Sequence, residues 1–591
     1  MIVACWGVAC IVWTARKRPA AADAAPAAVK RRRAAATADA LELQEDTIYK
    51  GTVLEKYVQH AWSTLSEDAR EKICQNMEEW PGTVASMCSG TGMAEIVFHA
   101  VRTLTGSNHA EIIHSCEMVA FKQKHLMNCV APALGSCESC IFNDFGELPQ
   151  GAGACVVHAR RCDVQRRPFL AIVGYSCKNL SMLNSNRLRW RADVLSQGVG
   201  SSGSTCQHLV NYLETSKPYI AILENVEEMG KAECESKNVE YLHTAVRARG
   251  YAVTSKVIRT SRRKVACQLL SHEGCRLLTH ASCSVMIHVG HVRCSLMSVA
   301  QSCELCRLHR SFNQFSSVAY LTYFIRALRH LLPQERLRAW TVLIHLETFS
   351  LDEADADELL RAIFSTVASL ECPHADLDQF LLPDTHAAVG AELARRQESA
   401  RSEQWSNNYK LYHQQFLDDK GISWSRLRPP PSTQDSPWYH TCSPREKEVI
   451  SYAIDAVEDM ISVDCSQRID RASIGRGRSL PTVTPGCKTY LMFKKAVKAV
   501  KGKRGEEAPM NRFLLGREGL RLQGFPTEFF DKAPQEHRSS ELQMMDMAGN
   551  AFPSTVLAAI VLAIYAHIPS SAVKQREETF NPDAVIGLIL G

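Results

Sequence analysis

The chain has 591 residues, 46% of them hydrophobic and 22% charged, and a formal net charge of +5. That composition supports a sizeable core in two or three domains, or one domain with insertions, and excludes a low-complexity or wholly disordered protein. The small positive balance neither demands nor excludes a nucleic-acid partner, because local patches decide that.

Residues 1–45 are rich in Ala and Arg and are expected to form a disordered basic tail. Its apolar start, Ile2 to Trp13, is about half the ~20 residues that a membrane span needs, so no membrane partner is expected. The clusters Arg16-Lys17-Arg18 and Lys30-Arg31-Arg32-Arg33 resemble a bipartite nuclear-import signal, which makes the nucleus the expected location. The 23 cysteines show no secreted framework and read as reduced thiols. A helical pattern from Thr47 to Trp80 leads into a short buried strand, Thr83 to Met87. The turn Cys88-Ser89-Gly90-Thr91-Gly92 follows, then a helix from Ala94 to Leu104 with Ile96, Val97, Ala100, Val101 and Leu104 on one face. Strand, glycine turn and helix open a doubly wound α/β sheet. Further strands are predicted at Glu111 to His114, Phe169 to Gly174, Tyr219 to Leu223 and Ala252 to Ile258, and their alternation with helices predicts a mostly parallel sheet. Arg262 to about Phe312 is rich in Cys and His, has only Glu273 and Glu304 as acids, and shows no clean period. From about Glu347 to Arg478 amphipathic helical segments are interrupted at Pro429-Pro430-Pro431. Thr555 to Ile568 is apolar nearly all round and reads as a buried helix.

Several of these positions carry chemistry. A glycine turn at a helix N-terminus lets backbone approach a ligand closely. Glu117, at the end of the next strand, can accept both hydroxyls of a ribose, and Asp144 in Asn143-Asp144-Phe145 can accept from an adenine amino group. Cys177 follows a buried strand at the sheet edge where α/β sites are built, and a thiolate there is a nucleophile able to add and leave again. Glu224, at the end of another strand, suits a general acid. Arg187, Arg189, Trp190 and Arg191 form one basic group suited to phosphates. Arg476, Arg478, Lys488, Lys494, Lys495, Lys498, Lys501, Lys503 and Arg504 form another.

The strings SMCSGTGMAE, VGYSCKNLS, ILENVEEM, LPQERLRAW and REGLRLQGFP with AGNAFPST stand in one order. The set resembles the cytosine-5 DNA methyltransferase family, over about Thr83 to Ile258, Leu332 to Leu346 and Ser479 to Ile568. The resemblance implies an α/β fold with a doubly wound, Rossmann-like class I methyltransferase sheet and a helical, variable target-recognition insertion. It implies transfer of a methyl group from S-adenosylmethionine to C5 of a cytosine flipped out of DNA. Cys177 would attack C6, Glu224 would donate to N3, and Arg338 of Pro-Gln-x-Arg-x-Arg would hold O2, with Arg336 beside it. Cys88, Ser89, Gly90, Thr91, Gly92, Glu117, Met118, Asp144, Phe145, Asn550 and Ala551 would surround the cofactor. DNA is the expected partner, and no metal is expected.

The chain departs from the family at Ser86, Cys88 and Met93 in the first motif. It departs again at Ser176, where a proline stiffens the loop, and at Lys178, where the family has Gln. Lys178 is expected to lower the pKa of the neighbouring thiol. The implied organisation is a tail (1–45), a first catalytic part (46–261), an atypical insertion (262–331), the arginine motif (332–346), a target-recognition region (347–478), the late motifs (479–570) and a second tail (571–591). Three other readings stay open. They are a tRNA cytosine-5 methyltransferase, a catalytically dead nucleic-acid-binding relative, and a zinc module built in the insertion from Cys303, Cys306 and His309 with Cys294 and His291.

Overall fold

The short apolar runs of the sequence become the centre of a nine-stranded sheet. In chain order its strands are β1 (Thr83–Met87), β2 (Glu111–Cys116), β3 (Cys140–Phe142), β4 (Ala152–Cys155), β5 (Arg160–Asp163), β6 (Leu170–Val173), β7 (Ile220–Val226), β8 (Tyr251–Arg259) and β9 (Leu337–His345). The structure, a computed structural model, describes residues 50–570 apart from 89, 108–109, 182–193, 227–235, 260–330, 335, 373–374, 403–406, 430, 457–459, 477–479, 494–510, 533 and 535–537. Both tails, the basic group from Arg187 to Arg191, most of the second basic group and all of the insertion but Leu331 therefore lie outside the described residues.

The spatial order is β5-β4-β3-β2-β1-β6-β7-β9-β8. The five strands from β3 to β7 in that order are parallel. β9 runs antiparallel to both β7 and β8, and the β4–β5 hairpin is antiparallel at the other end. The expected parallel centre is there, with antiparallel margins on both sides. β9 lies in a segment not read as a strand, although Trp340 to Ile344 has the β-branched, aromatic composition that strands favour.

Side chains alternate across a strand. Ala85, Met87, Ala171, Val173, Ala221 and Leu223 share one core with Leu209, Leu213, Leu242 and Val246, from the helices Gly200–Ser216 and Ser236–Arg247. The helix Ser554–His567 is buried on all sides because it packs among the helices Val53–Thr64, Glu67–Glu79, Met93–Leu104 and Glu353–Ser369. Asn76 donates to the carbonyls of Tyr565 and Ile568 and so caps the end of that helix. Among the described residues no single helix is long and apolar enough to cross a membrane.

A second, antiparallel sheet follows, in the order β11 (Ile474–Arg476), β10 (Met460–Asp464), β12 (Thr489–Phe493) and β13 (Arg512–Phe513). Leu417, Trp438, Val449, Ile450, Val463, Tyr490 and Phe513 form a core of its own. The elements of the span 347–478 pack in two places. The helix Glu353–Ser369 turns Leu360, Ile363, Phe364 and Val367 inward and packs beside β8 and the last helix. At the other limit the small sheet continues through β12 and β13.

Candidate active site

The parallel strands end together, and the site is assembled at their C-terminal edge. Val173 of β6 pairs with Leu223 of β7. Cys177 therefore follows one strand by four residues, while Glu224 sits one residue beyond its neighbour's pairing. β9 runs the opposite way, so its beginning arrives at the same edge, with Arg338 opposite Val226. Nε of Arg338 lies 2.7 Å from Oε1 of Glu224, both side chains being nearly buried. Yet no aligned hydrogen bond reaches that oxygen. The contact is a charge pair with acceptor capacity left over.

The Cys177 thiol lies within the field of this pair. Burial pushes its pKa up, Arg338 and then Arg336 pull it down, and Glu224 pushes it up. Lys178, expected to lower this pKa, has an exposed side chain. The largest cationic influences on the thiol come from β9 and its approach, across the sheet edge.

The loop carrying Cys177 shows how it manages without proline at 176. The Ser176 amide, a donor that proline lacks, gives a 3.2 Å hydrogen bond to Thr205 Oγ1, and the Ser176 hydroxyl donates to Ser201. Asn179 exchanges two bonds with Ser202, its amide donating to the hydroxyl and its Oδ1 accepting from the backbone. The amides of Leu180 and Ser181 both return to the Cys177 carbonyl. The first turn of the helix Gly200–Ser216 thus braces the loop. Each such bond is worth about 1 kcal/mol. At the loop's start Gly174 meets Phe552, where an added Cβ would stand 2.9 Å from the ring.

Arg336 has a different place from Arg338. It is fully buried and donates to the carbonyls of Val483, Gly549 and Ala551 at 3.1, 3.1 and 2.8 Å. Burial and the nearby Arg338 lower its pKa to about 9. It ties the arginine motif to the late motifs and acts through position. Gln334 does similar work, donating to Leu522 and accepting from Gln523. Gly549 completes the junction: a Cβ there would lie 2.0 Å from the Pro485 nitrogen, so only glycine permits the approach.

The cofactor-type residues gather at the ends of β1, β2 and β3. Cys88, Gly90 and Gly92 all have left-handed backbone, at φ 57°, 53° and 73°. For Cys88 that conformation is uncommon and costs of order 1 kcal/mol. Burial and the nearby Glu117 push its thiol up to about 12, which makes it an inert filler where the family has an aromatic. Ser89 lies outside the described residues. Ser86, the other departure, donates to the buried carboxylate of Glu95, as does Ser115. Glu117 accepts from the amides of Gly90 and Val119 at 2.9 and 2.8 Å, holding the glycine turn against the end of β2. Its neighbour Met118 is 78% exposed, an apolar side chain with nothing covering it. Gln123 links the Glu117 carbonyl to Asn143 Oδ1, which brings the end of β3 alongside. Asp144 is exposed and caps the turn that follows, while Phe145 is buried. Thr91 is buried, its hydroxyl accepting from the Met93 amide. Asn550 donates to Asp546, and Asp546 pairs at 2.9 Å with Lys122, near Cys88 and Glu117. Ala551 is buried next to it.

This arrangement suits a nucleoside ligand. A turn of left-handed residues gives close backbone access, Glu117 keeps lone pairs for hydroxyl donors, and exposed Met118 offers an apolar surface for a flat ring. S-adenosylmethionine has these three features, and the donor set fits it. Sequence reasoning missed Ser201, Ser202, Thr205 and Phe552, whose roles depend on contacts between distant segments. It also passed over a cluster of Cys140, Cys155, His158 and Cys162 at the β3–β5 margin, for which the spacing Cys155-x2-His158-x3-Cys162 was a signal.

The description "C-5 cytosine-specific DNA methylase" belongs to the family model that matches residues 311–566. Over 148 residues the chain is 28% identical to DNA (cytosine-5-)-methyltransferase DMT5 of Cryptococcus neoformans var. grubii, a match covering 24% of this chain and 6% of that protein. The chain thus spans a small fraction of that curated relative. Among solved structures, S. pombe Dnmt2 methyltransferase is similar at a TM-score of 0.37 and 12% identity, over 82% of this chain and 98% of that one. A putative DNA modification methyltransferase encoded within an E. coli prophage gives a TM-score of 0.33 and 12% identity, over 82% and 99%.

Proposed function

Because the chain belongs to the C-5 cytosine-specific DNA methylase family, we propose that it is a DNA (cytosine-5-)-methyltransferase acting on a flipped-out cytosine. The observation that most supports this reading is the meeting of Cys177, Glu224 and Arg338 at one sheet edge, with an ion pair that has acceptor capacity to spare.

Carbon 5 of cytosine is a poor nucleophile until something adds at C6. Cys177 makes that bond as the thiolate, formed from the favoured neutral thiol by loss of its proton to water. Arg338 lowers the energy of the thiolate before the base arrives and turns to the base's O2 afterwards. That movement releases Glu224 from its ion pair. Glu224 then takes up a proton and donates it to N3 as negative charge develops there, a general-acid contribution of roughly 10²–10⁴-fold. The Cys88 to Gly92 turn, Glu117, Met118, Asp144 and Asn550 would hold S-adenosylmethionine, which would supply the methyl group when bound. Loss of the C5 proton to water, with return of the N3 proton to Glu224, lets the C6–S bond break and returns Cys177 as thiolate. Arg336 holds the closing segment Gly549 to Ala551 against the site and takes no part in the chemistry.

The deciding experiment is covalent trapping on duplex DNA containing 5-fluorocytosine, in the presence of S-adenosylmethionine. A fluorine at C5 cannot leave as a proton does, so the Cys177 adduct should persist as a band stable to denaturation. Absence of the band, with folded protein that binds the cofactor, would favour a non-catalytic nucleic-acid-binding role. Transfer to tRNA in preference to duplex DNA would favour the RNA reading. The basic clusters at Arg16 to Arg18 and Lys30 to Arg33 support a nuclear location, which fusion of residues 1–45 to a fluorescent protein would test.

A further inference from the structure

At the far margin of the large sheet, four side chains from three neighbouring strands and one turn converge. Cys140 opens β3, Cys155 closes β4, Cys162 lies in β5, and His158 sits in the turn between β4 and β5. Their ligand atoms all lie within 4.8 Å of one another. The three sulfurs stand 3.5, 3.3 and 3.5 Å from one atom, Nδ1 of His158. A single ring nitrogen offers either one lone pair or one proton. Hydrogen bonding can therefore account for one of these contacts, not for three.

A tetrahedral metal centre accounts for all three. With Zn–S of about 2.3 Å and Zn–N of about 2.0–2.1 Å, a tetrahedral angle puts each sulfur about 3.5–3.6 Å from the nitrogen. The observed separations lie at or just under that edge length. The cluster also lies at the margin of the core, not inside it. Cys155 is buried, but Cys140 and Cys162 are only partly covered and His158 is exposed. All three cysteines are free thiols.

We propose that Cys140, Cys155, His158 and Cys162 form a Cys3His zinc site. Four protein ligands leave no open position, which makes the site structural. Binding releases the thiol protons and gives three thiolates and a neutral imidazole around the ion. β3 and β4 share one register pair, Phe142 with Cys155, flanked by backbone hydrogen bonds from Asn143 to Ala154 and from Val156 to Ile141. The ion joins all three strands at the level of that pair. This proposal departs from the expectation that the chain holds no metal, and the site differs from the zinc module considered in the insertion. It stands apart from the methyltransferase reading, since no ligand belongs to the reacting edge.

The test uses the full chain, purified without chelator. Elemental analysis should find one zinc per chain, and Cys155→Ser or His158→Ala should reduce that several-fold or abolish it. The double substitution Cys303→Ser with Cys306→Ser should leave it unchanged. Cobalt(II) in place of zinc should give thiolate charge-transfer absorption and the intense visible bands of a tetrahedral centre. Should the ligand variants not fold, alkylation of the unaltered protein read peptide by peptide serves instead. Zinc should shield Cys140, Cys155 and Cys162, and chelation should expose them together. Zinc-free protein, zinc retained at full stoichiometry in Cys155→Ser, or alkylation of the three thiols indifferent to chelation would each overturn the proposal.

Discussion

Two arginine–glutamate pairs, one fully buried and one nearly so, hold different parts of this molecule, and they are finished to different degrees. Where the small sheet meets the late motifs, Arg512 grips Glu518 through two hydrogen bonds of 2.9 and 2.7 Å, both side chains being fully buried. Glu518 also accepts from the amides of Leu515 and Leu382, and Arg512 reaches Asp384 and two carbonyls. At the edge of the large sheet, Arg338 and Glu224 approach as closely, but Glu224 Oε1 receives no aligned donor. A desolvated pair is stable only when its remaining hydrogen-bonding capacity is filled. The first pair is filled by the protein itself. The second leaves capacity that a ligand with its own donors and acceptors can fill. The difference separates a structural charge pair from one arranged for chemistry, though both pairs are made of the same residue types.

The sharpest break of this comparison is at the thiol beside the second pair. Cys177→Ala should abolish methyl transfer and 5-fluorocytosine trapping while S-adenosylmethionine binding, followed by calorimetry, stays close to that of the unaltered chain. Activity retained in that variant would move the nucleophile elsewhere. Next, Glu224→Gln should slow transfer by roughly 10²–10⁴-fold and leave the urea unfolding midpoint almost where it was. Glu518→Gln should do the reverse. It leaves Arg512 with an incompletely paired buried charge, and a loss of up to about 3–5 kcal/mol is expected, read as a lowered urea midpoint. If the two substitutions gave the same stability change, the contrast between the pairs would be lost.

A smaller effect separates the cations around the thiol. Burial raises the Cys177 pKa, so the neutral thiol is the form favoured in the folded protein at neutral pH. Any stability gained from that preference is present below the unfolded thiol's pKa and fades as pH rises through the folded one. Peptide-resolved alkylation of Cys177 should therefore be slow near neutrality and climb with pH. Arg338→Ala should shift that climb to higher pH, and Lys178→Ala should shift it less. A small effect is expected of Ser201→Ala, which removes the hydroxyl's bonds to Ser176 and Asn179 and should cost about 1–2 kcal/mol. It should act more on the rate of transfer than on global unfolding.

Much of the large sheet was legible because its strands are short apolar runs followed by turns. Thr83 to Met87 and the helix after it stand within a residue of their expected limits. Cys177 and Glu224 could be singled out because they follow strands legible in the sequence, and Arg338 because its motif resembles the family's Pro-Gln-x-Arg-x-Arg. Arg336 was read with them because sequence gives neighbouring arginines the same standing. Only packing shows that one is spent on three carbonyls while the other faces a carboxylate. Ser176 looked like a loss of stiffness, and its compensation lies on a helix that begins at Gly200, beyond the reach of local pattern. The four metal-type ligands were hidden among 23 cysteines because a search for paired Cys-x2-Cys motifs overlooks a histidine in the second place.

The pairing of β8 with β9 has a consequence for how this chain can be built. Arg259 at the end of one strand stands opposite Leu337 at the start of the other, so the polypeptide leaves the sheet and rejoins it at one point. Whatever connects the two ends sets no register, since nine consecutive residue pairs already do so. Lengthening such a connection costs little, about 0.6 kcal/mol for each doubling. The position therefore works as a port. It can take a long spacer, a short Gly/Ser bridge or a complete cut, with two co-expressed fragments meeting along the β8–β9 seam. Changes of length at this point pass through the fold without altering the geometry of the edge where Cys177, Glu224 and Arg338 meet.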